Sequence, residues 1–131
     1  MPVRTWEFSA IFRVVPGYGH NNEVQEDPLD RCARAWHDSA LAERERSGMY
    51  VAAALGERRV LYPREQGAPA EGEVSVEVTG ACNPRCEEPR AWREAVQRVV
   101  ADVRSTLLQC TVRIVFRRVD DVLFEERARG P

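Results

Sequence analysis

Lysine is missing from this chain of 131 residues, and all 19 of its basic residues are arginine. Codon composition accounts for such a bias before function does, although arginine's planar fork suits carboxylates and aromatic rings better than a lysine point charge. An excess of positive charge is also lacking, since the formal net charge is -2 and the two signs are interleaved along the chain. A nucleic-acid surface needs positive charge gathered on one face, so no nucleic acid is expected as a partner. No apolar run approaches the roughly 20 residues that span a bilayer, and the opening Met1-Pro2-Val3-Arg4 has neither the charged leader nor the apolar segment of a signal peptide. No membrane association is expected, and the location is read as cytoplasmic. Cysteine is sparse, with 4 residues, too few for a disulfide framework in a chain this long. Cys32, Cys82, Cys86 and Cys110 are therefore expected as thiols. A phosphate-cradling glycine loop, HExxH, GxSxG and a paired-carboxylate signature are all absent, so no cofactor and no metal is implied.

What is present is a succession of amphipathic segments. From Thr5 to Val15 the residues alternate, with Trp6, Phe8, Ala10, Phe12 and Val14 on one side and Glu7, Ser9 and Arg13 on the other, the pattern of a half-buried strand. After Pro16-Gly17 a polar loop runs to Asp27-Pro28, a helix start in which Asp caps and Pro takes the first helical position. The apolar stripe of that helix is Leu29, Ala33, Trp36 and Ala40 with Cys32 on its flank, and Gly48 stops it. Met49 to Leu55 and Arg58 to Tyr62 read as two short strands joined by a turn at Gly56-Glu57. Arg64 to Gly72 reads as a loop, and Glu73 to Thr79 as a strand with Val74, Val76 and Val78 facing in. A second helix takes Pro89 in its first turn and buries Trp92, Val96, Val99, Val103 and Leu107, with Glu94 and Arg98 as an exposed pair. The last strand starts near Cys110 or Thr111, and its alternation slips between Arg117 and Asp121, which predicts a bulge or a turn before Val122.

Residues 1–131 are thus read as a single α+β domain, a ferredoxin-like βαββαβ sandwich with an additional hairpin strand and two helices on one face of an antiparallel sheet. The other sheet face carries Glu7, Ser9, Arg13, Glu73, Ser75, Glu77, Arg113 and Arg117. It is too charged to meet a second sheet, and is expected to be solvated or to meet a polar partner.

Catalytic candidates are few. His20, beside Asn21 and Asn22 in the first loop, titrates near neutrality in ordinary surroundings and has the chemistry for proton transfer. Loss of Met1 would turn Pro2 into an amine base. Cys86, near Arg85 and Arg90 at a helix start, is placed for thiolate chemistry. In the absence of a strong catalytic motif, the sequence reads first as a small binding or accessory protein that recognises a peptide or another protein. Docking would use an exposed sheet edge and adjacent loops, with Arg58, Arg59, Tyr62, Arg64, Asn21, Asn22, Arg85 and Arg90 as contacts. Self-pairing of such an edge would give a homodimer. The alternative is a small cofactor-free enzyme, an isomerase or cyclase, moving protons with His20 or Pro2.

Overall fold

Asp27 and Pro28 open a helix as their chemistry dictates. The Asp27 carboxylate accepts a hydrogen bond from the Leu29 N–H at 2.8 Å, and Pro28 sits where no N–H is required. This helix, α1 (Pro28–Ser47), ends at Gly48, whose φ of 82° is left-handed and whose N–H bonds the Arg44 carbonyl. The computed structural model describes residues 3–13, 27–61, 63, 65, 73–83, 88–108 and 112–122. Within them α1 is preceded by β1 (Val3–Phe12) and followed by β2 (Ala54–Val60), β3 (Glu73–Ala81), α2 (Pro89–Thr106) and β4 (Ile114–Asp121). The sheet order is β2-β3-β1-β4 with every neighbour antiparallel, the ferredoxin-like arrangement expected from the element order.

Two local expectations fail for identifiable reasons. Gly56 and Glu57 do not turn the chain; they lie inside β2, which pairs without interruption from Ala54 opposite Thr79 to Val60 opposite Glu73. The two predicted strands are one irregular approach and one strand, so the additional hairpin strand does not form among the described residues. The approach is held by Val51, fully buried, whose carbonyl accepts the Trp36 indole N–H at 3.1 Å. The predicted slip in β4 is likewise replaced by even pairing from Ala10 opposite Ile114 to Val3 opposite Asp121. Charge hid the alternation: Arg118 occupies the helix-facing side, its guanidinium 5.0 Å from the Trp6 ring centre.

The core fills the layer between sheet and helices. Phe8 stands at its middle, stacked on Trp36 at 5.6 Å and tilted against Trp92 at 5.9 Å. All five predicted positions of α2 are buried. In α1 the buried stripe is rotated from the expected one: Cys32, Ala35, Trp36, Ser39, Ala40 and Glu43 are inside, and Ala33 is exposed. The rotation brings Glu43 against α2, where its two oxygens accept from Arg98 at 2.8 and 2.9 Å, while Ser47 donates to it from the next turn. Arg98 is therefore drawn to α1, and Glu94 pairs with Arg90 at 3.5 Å instead. No helix among the described residues is long and apolar enough to cross a membrane.

Candidate functional site

Both helices lie on one side of the sheet, so the alternation that sends Phe8, Val76 and Val78 into the core sends Glu7, Ser9, Ser75, Glu77 and Thr79 to the uncovered face. Register places these side chains relative to one another. Ser9 lies opposite Thr79, Glu7 opposite Ala81, and Ile11 opposite Glu77. On the other flank of β3, Ala54 lies opposite Thr79, Gly56 opposite Glu77, and Arg58 opposite Ser75. Glycine and alanine on β2 leave a bed of small residues beside β3, and acids and arginines rise around it.

Each of three carboxylates on this face holds an arginine. Glu7 accepts from Arg117 at 3.0 Å, Glu77 from Arg58 at 2.5 Å, and Glu73 lies 3.6 Å from Arg13. The arginine side chains are more than half exposed, so these pairs are held weakly and can exchange partners at little cost. Between Glu73 and Glu77 sits Ser75, only 1% exposed, whose hydroxyl has no hydrogen-bond partner among the described residues. A buried polar atom left unsatisfied is uncommon and costs free energy, which marks it as a place where another molecule can complete the bonding.

Toward one end, the face opens into a hollow of about 390 Å³ lined by Glu7, Ala52, Ala53, Ala54, Thr79, Gly80 and Ala81. That volume is within the range of small-molecule sites. Gly80 keeps its floor thin: a Cβ there would lie 2.6 Å from both the Phe8 ring and the Ala52 carbonyl oxygen.

The sequence-predicted site residues divide sharply. His20, Asn21, Asn22, Pro2, Tyr62, Arg64, Arg85 and Cys86 lie outside the described residues. Arg58 is on the open face, turned over β3 toward Glu77. Arg59 is opposite Val74 and therefore on the helix side of the sheet. Arg90 belongs to the first turn of α2, exposed and paired with Glu94. Cys110 also lies outside the described residues; of the described thiols, Cys32 and Cys82 are buried, and burial pushes the Cys32 thiol up to about 11. Trp36 and Trp92 are core residues, and Trp6 is covered by Arg93 and Arg118 at 4.6 and 5.0 Å. Among the described residues no group of histidines, cysteines and acids is placed to hold a metal. Sequence reasoning named Glu7, Glu73, Ser75 and Glu77 only as part of a face that is solvated or meets a polar partner; the strand register gathers them into a candidate site. The available signal was strict alternation of both charge signs around small polar residues.

Fold and face together define a ferredoxin-like α+β protein with an ionic surface on the sheet face opposite its helices. A family model described as SAM lyase matches residues 4–125, and the chain belongs to that family. The fold is shared with two solved structures. One is a phage SAM lyase in complex with S-methyl-5'-thioadenosine, 14% identical, TM-score 0.54, with 91% of this chain and 90% of that chain covered. The other is a phage SAM lyase in the apo state, 15% identical, TM-score 0.57, with 97% and 92% covered. No curated protein matches the chain.

Membership of a lyase family overturns the expectation of an accessory protein that recognises a peptide or protein partner. The solved neighbour holds a small molecule, not a peptide. β2 is an edge of the sheet as expected, but an edge is common to open sheets and specifies no peptide partner; the Arg58 side chain lies over β3 against Glu77.

Proposed function

We propose that the protein degrades S-adenosylmethionine, breaking the bond between the sulfonium sulfur and the aminobutyrate chain to leave S-methyl-5'-thioadenosine. The observation that carries this reading is the family match over residues 4–125. The alternative raised by the sequence, a small cofactor-free enzyme, isomerase or cyclase, moving protons with His20 or Pro2, is the closer of its two expectations in being an enzyme. The substrate is an intracellular metabolite, in keeping with a cytoplasmic location.

The chemistry fits the open face. Loss of the thioether without water has two routes. In one, the substrate's own carboxylate closes on the carbon attached to sulfur: a C–O bond forms, the C–S bond breaks, and its electron pair goes to sulfur. In the other, a base takes a proton from the neighbouring carbon, the C–H pair forms a C=C bond, and the C–S bond breaks with its electron pair going to sulfur. The first route asks for no protein base, and the arginines beside Glu7, Glu73 and Glu77 suit it by offering partners to the substrate's carboxylate. That route cancels the sulfonium and carboxylate charges and leaves the ammonium untouched, so weaker solvation of the two reacting centres accelerates it, and its main requirement is a flexible chain held folded on itself. Acids around the sulfonium and arginines around the carboxylate would supply the hold.

Purified protein mixed with S-adenosylmethionine and no added cofactor should accumulate S-methyl-5'-thioadenosine, followed by liquid chromatography and mass spectrometry. Glu73→Gln and Glu77→Gln should each lower kcat/KM at least about tenfold at unchanged Tm, the loss of one charge-assisted contact. Absence of the thioether product from correctly folded wild-type protein would overturn the reading.

A further inference from the structure

We infer that Arg93 and Arg118, held beside Trp6 on the helix side of the sheet, form a binding site for a phosphate group, free or carried on a small sugar. The site lies on the other side of the sheet from the candidate substrate face and does not depend on the proposed reaction.

Trp6 gathers the two arginines. Arg118 is its partner across the β1–β4 ladder and α2 supplies Arg93, so that the guanidinium carbons lie 4.6 Å (Arg93) and 5.0 Å (Arg118) from the centre of its ring. An indole attracts each cation through its face, but it is a neutral group and cancels neither charge. Two cations drawn to one ring also repel each other, and among the described residues neither has a carboxylate partner. Asp120, two residues beyond Arg118 on the same face, is engaged by Arg4 at 3.9 Å, directly across the ladder.

Arg93 carries the independent sign of a missing acceptor. Its Nε–H is shielded from solvent and meets no hydrogen-bond partner among the described residues. An N–H of a cation is costly to leave in that state. Rotation of the side chain about its terminal bonds presents Nε and one Nη side by side to an oxyanion, and Arg118, exposed on the edge strand β4, brings a second fork. A carboxylate has two oxygens and is filled by one such fork; a phosphate group has three or more and accepts from both, which is why the pair selects phosphate.

Phosphate salts stabilise folded proteins generally, by exclusion from their surface, so the readout is a saturable heat of binding and Tm serves only as the folding control. Isothermal titration calorimetry at fixed ionic strength is run with inorganic phosphate, ribose 5-phosphate, ribose and acetate on wild type, Arg93→Gln, Arg118→Gln and Asp120→Asn. Wild type should bind phosphate saturably and at least about tenfold more tightly than acetate, and should not bind ribose. Arg93→Gln should weaken phosphate binding about tenfold, and Arg118→Gln about threefold because that arginine is exposed. Asp120→Asn, which removes a competing carboxylate from the same face, should tighten it. Ribose 5-phosphate that binds no better than phosphate assigns the site to the free anion, and tighter binding assigns it to phosphate carried on a sugar. Phosphate heats that do not saturate, acetate that binds equally well, or folded arginine variants that bind as wild type does would overturn the site.

Discussion

Gly80 shows how one missing side chain serves both sides of the sheet. On the core side, its hydrogen is all that separates the strand from the Phe8 ring; at the edge, it lets the Ala52 carbonyl approach. Gly80→Ala would place a methyl group 2.6 Å from both, and ring and backbone cannot both retreat. We expect a loss of about 1–3 kcal/mol, the cost of overpacking, read as a lowered midpoint in urea denaturation. This residue was legible in the sequence only as the end of a strand. Its packing role depends on which residue of β1 lies opposite, and that is Phe8, some seventy positions away. Asp27, Pro28 and Gly48 were legible because capping and left-handed backbone are properties of neighbours in the chain.

At the scale of elements, the two helices are joined by Glu43 and Arg98 as well as by apolar packing. The Arg98 guanidinium, and behind it the Ser47 hydroxyl, hold the Glu43 carboxyl below its ordinary range, against the opposing effect of burial. A depressed folded-state value contributes stability that is fully present above the ordinary carboxylate range and is lost as pH falls through the lowered value. Thermal melts across an acid series should therefore show wild type losing stability on acidification more steeply than Glu43→Gln, which has no charge to lose there. Equal slopes would remove the pair from the acid response. The sequence placed Arg98 with Glu94 because the i,i+4 rule sees only one helix. Rotation of α1, which exposed Ala33 and buried Glu43, is a tertiary choice made by the aromatic cluster around Phe8 and Trp36. The strands told the same lesson in reverse: β3 was plain from its valines, while β2 and β4 were blurred because their charged residues serve the open face and cover Trp6.

For the molecule as a whole, stability is concentrated in Phe8. It is fully buried, touches both buried tryptophans, and lies on a strand flanked by β3 and β4. Phe8→Ala should cost about 3–5 kcal/mol, much of the margin of an ordinary domain, and its unfolding transition should move to far lower denaturant or vanish. A shift comparable to that of a surface substitution would mean that the core is not organised around this ring. The candidate face sits directly behind that core, so its geometry depends on the rigidity of β1 and β3. That explains how much of the site could be foreseen: the outward residues of each strand were readable, but the pairs among them required the sheet order.

The same order bears on how the chain is made. β1 leaves the ribosome first, yet one of its two hydrogen-bonding edges is closed only by β4, with Val3 opposite Asp121. Throughout synthesis of the residues between them, at about 5–20 per second, a strand bearing Trp6, Phe8 and Phe12 waits with that edge unpaired. Translation speed and chaperone supply, rather than the finished protein's stability, should then govern how much of it is recovered soluble.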